Sequence, residues 1–86
     1  SNFAKVSVKQ ILSENIRCQE PKLIMIHNHP SGDSTPSESD FDITKKTISA
    51  CKIMGIELLD HVVIGDNNYK SILSIRDFNN TLGEDI

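Results

Sequence analysis

The sequence predicts an α/β domain in which helices pack on a small mixed sheet. Segments with helical and strand-like patterns alternate in the order helix, strand, helix, strand, strand. The length of 86 residues suits one domain with a single core. Charged residues make up 24% of the chain, which is ordinary for folded domains, so the composition does not indicate disorder.

The first predicted element is a helix that begins after Ser7. Ser7 and Gln10 have the spacing of a capping box, in which each side chain bonds the backbone N–H of the other residue. Val6 and Ile11 have the spacing of a hydrophobic staple across the same helix start. The helix should end before Pro21, because the residue preceding a proline avoids the helical region.

The next two predicted elements are a strand and a long helix, joined by a loop rich in proline and glycine. The apolar run Leu23–Ile26 is short and continuous, which predicts a strand buried on both faces. The start signal of the helix combines Thr35 as N-cap, Pro36 at the first helical position and Glu38 at the third. Gly55 predicts the end of this helix, since glycine adopts the left-handed conformation that follows many helices.

The last predicted elements form a hairpin. Residues 56–64 and 69–74 have strand patterns, and the turn-forming segment 65–68 separates them. The residues after Arg76 are polar and predict a short helix or a frayed tail.

A candidate metal site follows the first strand. Alternate residues of a strand point to one side, so His27 and His29 can face one point while Asn28 faces away. Asp40, near the start of the second helix, supplies a third ligand, and the helix dipole favours its ionised form. Two neutral imidazoles and one carboxylate, with a fourth position left for water, are the ligand pattern of catalytic zinc. The residues alone leave open a second interpretation, a purely structural histidine pair.

Several strings of this sequence resemble the RadC family, and they extend over residues 6–75. They are His27-Asn28-His29-Pro30-Ser31-Gly32-Asp33, Pro36-Ser37 with Asp40, Thr44, and Gly55-Ile56 with Leu58-Leu59-Asp60-His61 and Ile64-Gly65. The spacing of the histidines, Ser37 and Asp40 is also similar to the JAMM motif of MPN-type metalloproteases. The resemblance implies an MPN, cytidine-deaminase-like α/β fold. It also implies a zinc ion on His27, His29 and Asp40, and a role for Ser37 at the oxyanion of the reaction.

The resemblance leaves the role of Ser37 and the source of a general base open. Ser37 can instead cap the second helix with Asp40 as its partner, whereas a cap at Thr35 leaves the Ser37 hydroxyl free for the site. The family's general acid/base is a glutamate well upstream of the histidines. Glu14 and Glu20 lie upstream here but lack that context, so we expect residues 1–86 to be one domain that forms the C-terminal part of a longer protein. We expect this part to lack the N-terminal strands of the fold and the catalytic glutamate, and therefore to bind metal but hydrolyse poorly.

The predicted function is that of a zinc-dependent hydrolase domain, in which a metal-activated water attacks a peptide or isopeptide bond. One alternative is an MPN scaffold without catalytic activity. Another is an accessory domain in DNA repair, although a net charge of −3 argues against a broad nucleic-acid surface. Lys45, Lys46 and Lys52 can form a local basic patch or simply a solvated helix face.

Two further features bear on the setting of the domain. Cys18 and Cys51 form no CxxC pair and fit thiols in a reducing cytoplasm, with a disulfide as the alternative. No apolar run has the length of a membrane span.

The sequence also singles out His61 and Asp33 near the site. His61 can close the metal site as a fourth ligand or support it through hydrogen bonds. Asp33 can orient a histidine or stabilise the turn, and the turn is the interpretation that its loop favours.

Overall fold

A computed structural model describes residues 7–18 and 21–78. The elements are α1 (Val8–Cys18), β1 (Lys22–Asn28), α2 (Glu38–Met54), β2 (Glu57–Ile64), β3 (Tyr69–Ser71) and α3 (Ile72–Ile75). The predicted order of the first five elements is confirmed, and the helices accompany a three-stranded sheet. None of the helices in these residues is long and apolar enough to cross a membrane.

The sheet is mixed, with the strands in the order β1-β2-β3. β1 and β2 run parallel and are joined through α2, and β2 and β3 form the predicted antiparallel hairpin. The register places Met25 beside His61 and His27 beside Val63. Beyond the end of β1, the N–H of His29 donates to the carbonyl of Ile64 at 2.9 Å. The pairing with β2 therefore holds the backbone on both sides of the two histidines.

The prediction that β1 is buried on both faces is wrong for the described residues. Met25 is buried, whereas Ile24 and Ile26 are 53% and 69% exposed. Among the described strands, β1 lies at the edge of the sheet, and its buried side chain lies in a core that includes Leu58 of β2 and Cys51 of α2. A continuous apolar run therefore does not establish that both faces are covered.

The predicted start of α1 is confirmed. The N–H of Ser7 donates to Oε1 of Gln10 at 3.0 Å, and the N–H of Gln10 donates to Oγ of Ser7 at 3.1 Å. The N–H of Ile11 bonds the Ser7 carbonyl and closes the first turn. Val6, the other half of the predicted staple, lies outside the described residues.

The predicted N-cap of α2 at Thr35 is wrong, because the cap is Ser37. The N–H of Asp40 donates to Oγ of Ser37, and the N–H of Ser37 donates to a carboxylate oxygen of Asp40. Both residues satisfy the local rules for a cap, and the capping box selects Ser37. The predicted end of α2 is confirmed, since Gly55 adopts a left-handed conformation with φ 73°.

The predicted third strand is too long. β3 ends at Ser71, which caps the short helix α3 by accepting a hydrogen bond from the N–H of Ser74. Asp60 of β2 reinforces this turn by accepting bonds from the Ser71 hydroxyl at 2.6 Å and from the Leu73 N–H. The apolar alternation in residues 69–74 matched a strand, but a cap and a carboxylate acceptor favour a helical turn there. The predicted tail after Arg76 falls mostly on residues 79–86, outside the described part.

Helix α2 contributes to both core clusters of the described residues. One contains Leu12, Met25, Cys51 and Leu58, and the other contains Phe41, Val63, Ile72 and Phe78. Cys51 is a free, buried thiol, as the cysteine pattern predicted, and the Cys18 side chain lies outside the described part. Helix α2 packs on β2, and its first turn places Asp40 beside the two histidines at the carboxyl end of β1.

Candidate metal centre

The two histidines converge because of the strand geometry of β1. His27 follows Met25 by two positions and lies on the same face, towards α2, whereas Asn28 is exposed. The rings of His27 and His29 meet edge to face, with centroids 4.8 Å apart. The alternation of side chains expected for a strand thus continues one residue past its end.

Asp40 meets both imidazoles. Its Oδ1 lies 2.9 Å from Nδ1 of His27, and its Oδ2 lies 3.0 Å from Nε2 of His29. The Asp40 side chain is 4% exposed, against 16% for His29 and 41% for His27. The structure therefore brings together all three predicted ligands, with the carboxylate inside and His27 facing solvent.

The start of α2 fixes the carboxylate of Asp40. Its Oδ2 accepts the Ser37 N–H at 2.8 Å, while the Asp40 N–H donates to Oγ of Ser37 at 3.1 Å. Burial raises the pKa of Asp40, but the hydrogen bonds with Ser37 and the proximity of His27 and His29 outweigh it. The pKa of Asp40 lies below its ordinary value, so the group is an anion at neutral pH.

The hydrogen bonds of His29 assign its tautomer. Its Nδ1 lies 2.7 Å from the backbone carbonyl of Asp33, which can only accept, so Nδ1 carries a proton. In the neutral ring, Nε2 then presents a lone pair to the Asp40 carboxylate at 3.0 Å. Two facing acceptors repel each other unless a cation neutralises them. A second proton on His29 or a metal ion meets that requirement.

Asp33 stabilises the turn, as its loop position predicted. Its carboxylate accepts the Thr35 N–H at 3.0 Å, and its own N–H donates to Oγ of Ser31. The bond to Thr35 comes first among the causes that lower the pKa of Asp33. The backbone carbonyl of Asp33, and not its side chain, orients His29. A carbonyl partner for the second ring nitrogen is the usual outer support of a metal-ligating histidine.

The turn between β2 and β3 supports the same loop. The Asp66 N–H donates to the Gly32 carbonyl at 2.8 Å. Gly32 has φ 86°, and a Cβ atom there would lie 2.2 Å from the Asp66 carboxylate. The backbone conformation therefore requires glycine, and a larger residue would also displace the Asp66 side chain.

His61 lies beside the three residues but outside the group that can bind a metal. That group comprises His27, His29 and Asp40, whose ligand atoms all lie within 4.8 Å of one another. The His61 ring stacks on that of His27 with centroids 6.0 Å apart, and its Nδ1 lies 2.6 Å from Oγ1 of Thr44. Burial lowers the pKa of His61, and the nearby Asp40 opposes that effect only in part. The geometry does not favour the fourth-ligand interpretation.

Sequence reasoning missed the buried hydroxyl of Thr44. This residue is fully buried and bonds both His61 and the backbone carbonyl of Asp40. Its place in the family-like string was the only available signal. Of the proposed general bases, Glu20 and the side chain of Glu14 lie outside the described residues.

The donor set fits a divalent metal. Two imidazole nitrogens and one carboxylate are ligands that zinc, iron and other first-row divalent metals accept. The facing acceptors on His29 and Asp40 are the feature of this structure that a cation satisfies.

Comparisons with known proteins agree with these features. A family model described as the RadC-like JAB domain matches residues 1–78. A UPF0758 protein of Syntrophomonas wolfei is 48% identical over 67 residues, which cover 78% of this chain and 28% of the relative. UPF0758 proteins of Desulfitobacterium hafniense and of Actinobacillus pleuropneumoniae serotype 5b are each 46% identical, over 83% and 81% of this chain.

The chain matches about three-tenths of the length of these relatives, with 31% and 32% of the latter two covered. The family model covers all of the described residues, and so every element that builds the site. The chain therefore belongs to the RadC-like JAB domain family.

Proposed function

We propose that this domain binds zinc through His27, His29 and Asp40, and that it is the metal-holding part of a longer protein that hydrolyses a peptide or isopeptide bond. We also propose that the three described strands and their helices are part of an MPN, cytidine-deaminase-like fold. The free, buried thiol of Cys51 fits a reducing compartment, and we propose the cytoplasm.

One observation carries the metal-binding part of the proposal. The proton on Nδ1 of His29 is committed to the Asp33 carbonyl, so the neutral ring turns an Nε2 lone pair towards an anionic carboxylate at 3.0 Å. These two acceptors need a cation between them. A second proton on His29 supplies it in the metal-free protein, and we propose that a metal ion replaces this proton when it binds.

The residues of the site divide the work of hydrolysis. A bound zinc ion supplies Lewis acidity and lowers the pKa of a water molecule to about 7. His27 and His29 hold one side of the metal position, and the buried Asp40 supplies the negative charge on the other. The exposed edge at His27 is the side from which a substrate can approach.

Ser37 is proposed to stabilise the oxyanion. Its Oγ accepts the Asp40 N–H, and no described residue accepts from its own hydroxyl proton. Capping uses the hydroxyl oxygen as an acceptor, and oxyanion stabilisation would use the hydroxyl proton as a donor, so one serine can do both. Removing one such donor costs about 10²–10³ in kcat in a well-studied protease.

The proposal is tested by metal analysis and by hydrolysis. Purified protein is stripped with a chelator and reloaded with zinc, and cleavage of fluorogenic peptide and isopeptide substrates is followed. We expect about one zinc ion per chain, because the described residues hold one three-ligand group, and we expect Asp40→Asn to abolish any cleavage. Asp42→Asn, which removes an exposed carboxylate of the same helix, should leave both unchanged. Absence of zinc from the reloaded protein would refute the proposal.

A second candidate function is metal binding without hydrolysis. It is favoured by the fact that the described residues place one carboxylate in the site, Asp40, and use it as a ligand. A hydrolase needs a further group to transfer protons, an effect typically worth 10²–10⁴-fold. Stoichiometric zinc together with no cleavage of any tested amide would favour this candidate.

A further inference from the structure

We propose that His61 is a positioning residue that orients Asp40 through the hydroxyl of Thr44. The inference rests on the proposed metal site and adds a buried hydrogen-bond chain behind it. The chain runs from Nδ1 of His61 to Oγ1 of Thr44 at 2.6 Å, and from Oγ1 to the backbone carbonyl of Asp40 at 2.7 Å.

The direction of the chain follows from proton counting. A threonine hydroxyl has one proton, and a carbonyl can only accept, so the bond to Asp40 uses the Thr44 proton. The Thr44 oxygen then accepts from Nδ1–H of His61. The opposite tautomer would bury an Nε2–H, and no described residue accepts from that atom of His61, which is 2% exposed. Buried orphan donors are rarer than buried orphan acceptors, which favours the Nδ1–H form.

The chain completes the restraint on Asp40. Ser37 fixes the amide and the carboxylate of this residue, and Thr44 fixes its carbonyl. His61 in turn belongs to β2, beside Met25 of β1 in the register. The strand that pairs with the histidine-bearing strand is thus linked to the helix that carries the third ligand. We infer that this link sets the distance between the carboxylate and the imidazoles.

Thr47 provides an internal comparison for this role. It is as fully buried as Thr44, and its hydroxyl donates to the Ile43 carbonyl at the same distance of 2.7 Å. Both threonines lie in α2, both are fully buried, and the hydroxyl of each donates to the backbone carbonyl four residues earlier. Of the two, Thr44 alone also hydrogen-bonds a histidine, and the carbonyl that its hydroxyl binds belongs to the proposed metal ligand Asp40.

The first test reads the tautomer in metal-free protein. The ¹⁵N chemical shifts of the His61 ring are measured near pH 7.5, with His61→Asn used for assignment. We expect a protonated Nδ1 and an unprotonated Nε2. The reverse pattern would overturn the proposed direction of the chain and with it the inference.

The second test measures zinc affinity by competition with a chromophoric chelator. Thr44→Val and His61→Leu should weaken binding about 10–100-fold, the range found for outer supports of metal ligands. Thr44→Ser keeps the hydroxyl and His61→Asn keeps a donor near the Nδ1 position, so both should retain most of the affinity. Equal weakening by Thr47→Val and Thr44→Val would mean that only general packing matters, and would overturn the inference.

A metal-independent measurement separates this inference from the proposed function. If the unaltered protein binds no zinc, the proposed function fails, and amide hydrogen exchange at Ser37 and Asp40 still tests the positioning role. Exchange should accelerate more in Thr44→Val than in Thr47→Val. Equal acceleration in the two variants would refute the positioning role.

Discussion

Replacing Asp40 by asparagine gives the most direct test of the metal centre. The side chains have nearly the same shape, and asparagine can still accept the Ser37 N–H that starts α2. The change removes the anionic ligand that lies 2.9 and 3.0 Å from the two imidazoles. Metal-free Asp40→Asn should therefore stay within about 1 kcal/mol of the original protein, the usual size of a helix-dipole contribution.

The magnitude for the metal-bound protein follows from linkage. Zinc at 100 times its dissociation constant adds about 2.7 kcal/mol to the free energy of unfolding. For a domain of this size, that addition raises the melting temperature by about 10–20 °C. Outer supports of metal ligands cost up to about 100-fold in affinity, so loss of a ligand should cost at least as much. The same zinc concentration would then add only about 0.4 kcal/mol to the variant, or about 2–3 °C.

The assay is thermal unfolding with and without zinc, compared among the original protein, Asp40→Asn and Asp42→Asn. Asp42 lies two positions along the same helix and is exposed, so its substitution changes the net charge equally and leaves the site intact. Asp42→Asn should keep the full zinc-induced shift. If zinc stabilised Asp40→Asn as strongly as the original protein, the assignment of Asp40 as a ligand would be refuted.

Three further predictions concern the supports of the site. Ser37→Ala should lower the free energy of unfolding by about 1 kcal/mol through loss of the cap, measured by urea denaturation of metal-free protein. Gly65→Ala should weaken both folding and zinc binding, by about 1–3 kcal/mol in stability, because its Cβ would lie 2.4 Å from the Gly32 carbonyl. Gly55→Ala, with φ 73° but nothing within 4 Å, should cost about 1–2 kcal/mol in stability and leave zinc affinity unchanged. Burial lowers the pKa of His61 below its ordinary value of 6.5, so the unfolded chain binds a proton that the native state excludes. The free energy of unfolding of metal-free protein should fall as the pH drops below 6.5, by up to about 1.4 kcal/mol per unit from this group, and His61→Asn should lose that share.

Each of these three predictions has an outcome that contradicts it. An unchanged urea midpoint for Ser37→Ala would show that the Ser37 cap does not stabilise α2. Equal zinc affinities for Gly65→Ala and Gly55→Ala would show that the contact between the two loops does not support the site. Identical pH profiles for His61→Asn and the original protein would mean that His61 is not excluded from protonation in the native state.

Local chemistry made part of the fold predictable. Ser7 with Gln10, and Gly55 after the second helix, act within one helical turn, and both were predicted correctly. The exposure of Ile24 and Ile26 was not, because burial depends on which elements cover a strand and not on the apolar character of the strand itself. The helical turn at Ile72 was missed for a related reason, since Asp60 stabilises it from another strand.

The candidate site likewise has a part that local sequence rules predict and a part that depends on tertiary packing. Strand alternation and a helix start allowed His27, His29 and Asp40 to form one group, the resemblance to the family favoured it, and the structure brings the three residues together. The link between Thr44 and His61 joins residues 17 positions apart, and no local rule relates them. Such contacts emerge only when α2 has packed on the sheet.

The choice between Thr35 and Ser37 as the cap carries a mechanistic consequence. A cap at Ser37 excludes a role at the oxyanion only if the hydroxyl serves a single purpose. The observed bonds separate the two, because the cap uses the oxygen as an acceptor and leaves the proton for a further acceptor. The same capping box holds the carboxylate of Asp40 through the Ser37 N–H. Formation of the first turn of α2 therefore orients both the proposed metal ligand, Asp40, and the proposed oxyanion donor, Ser37.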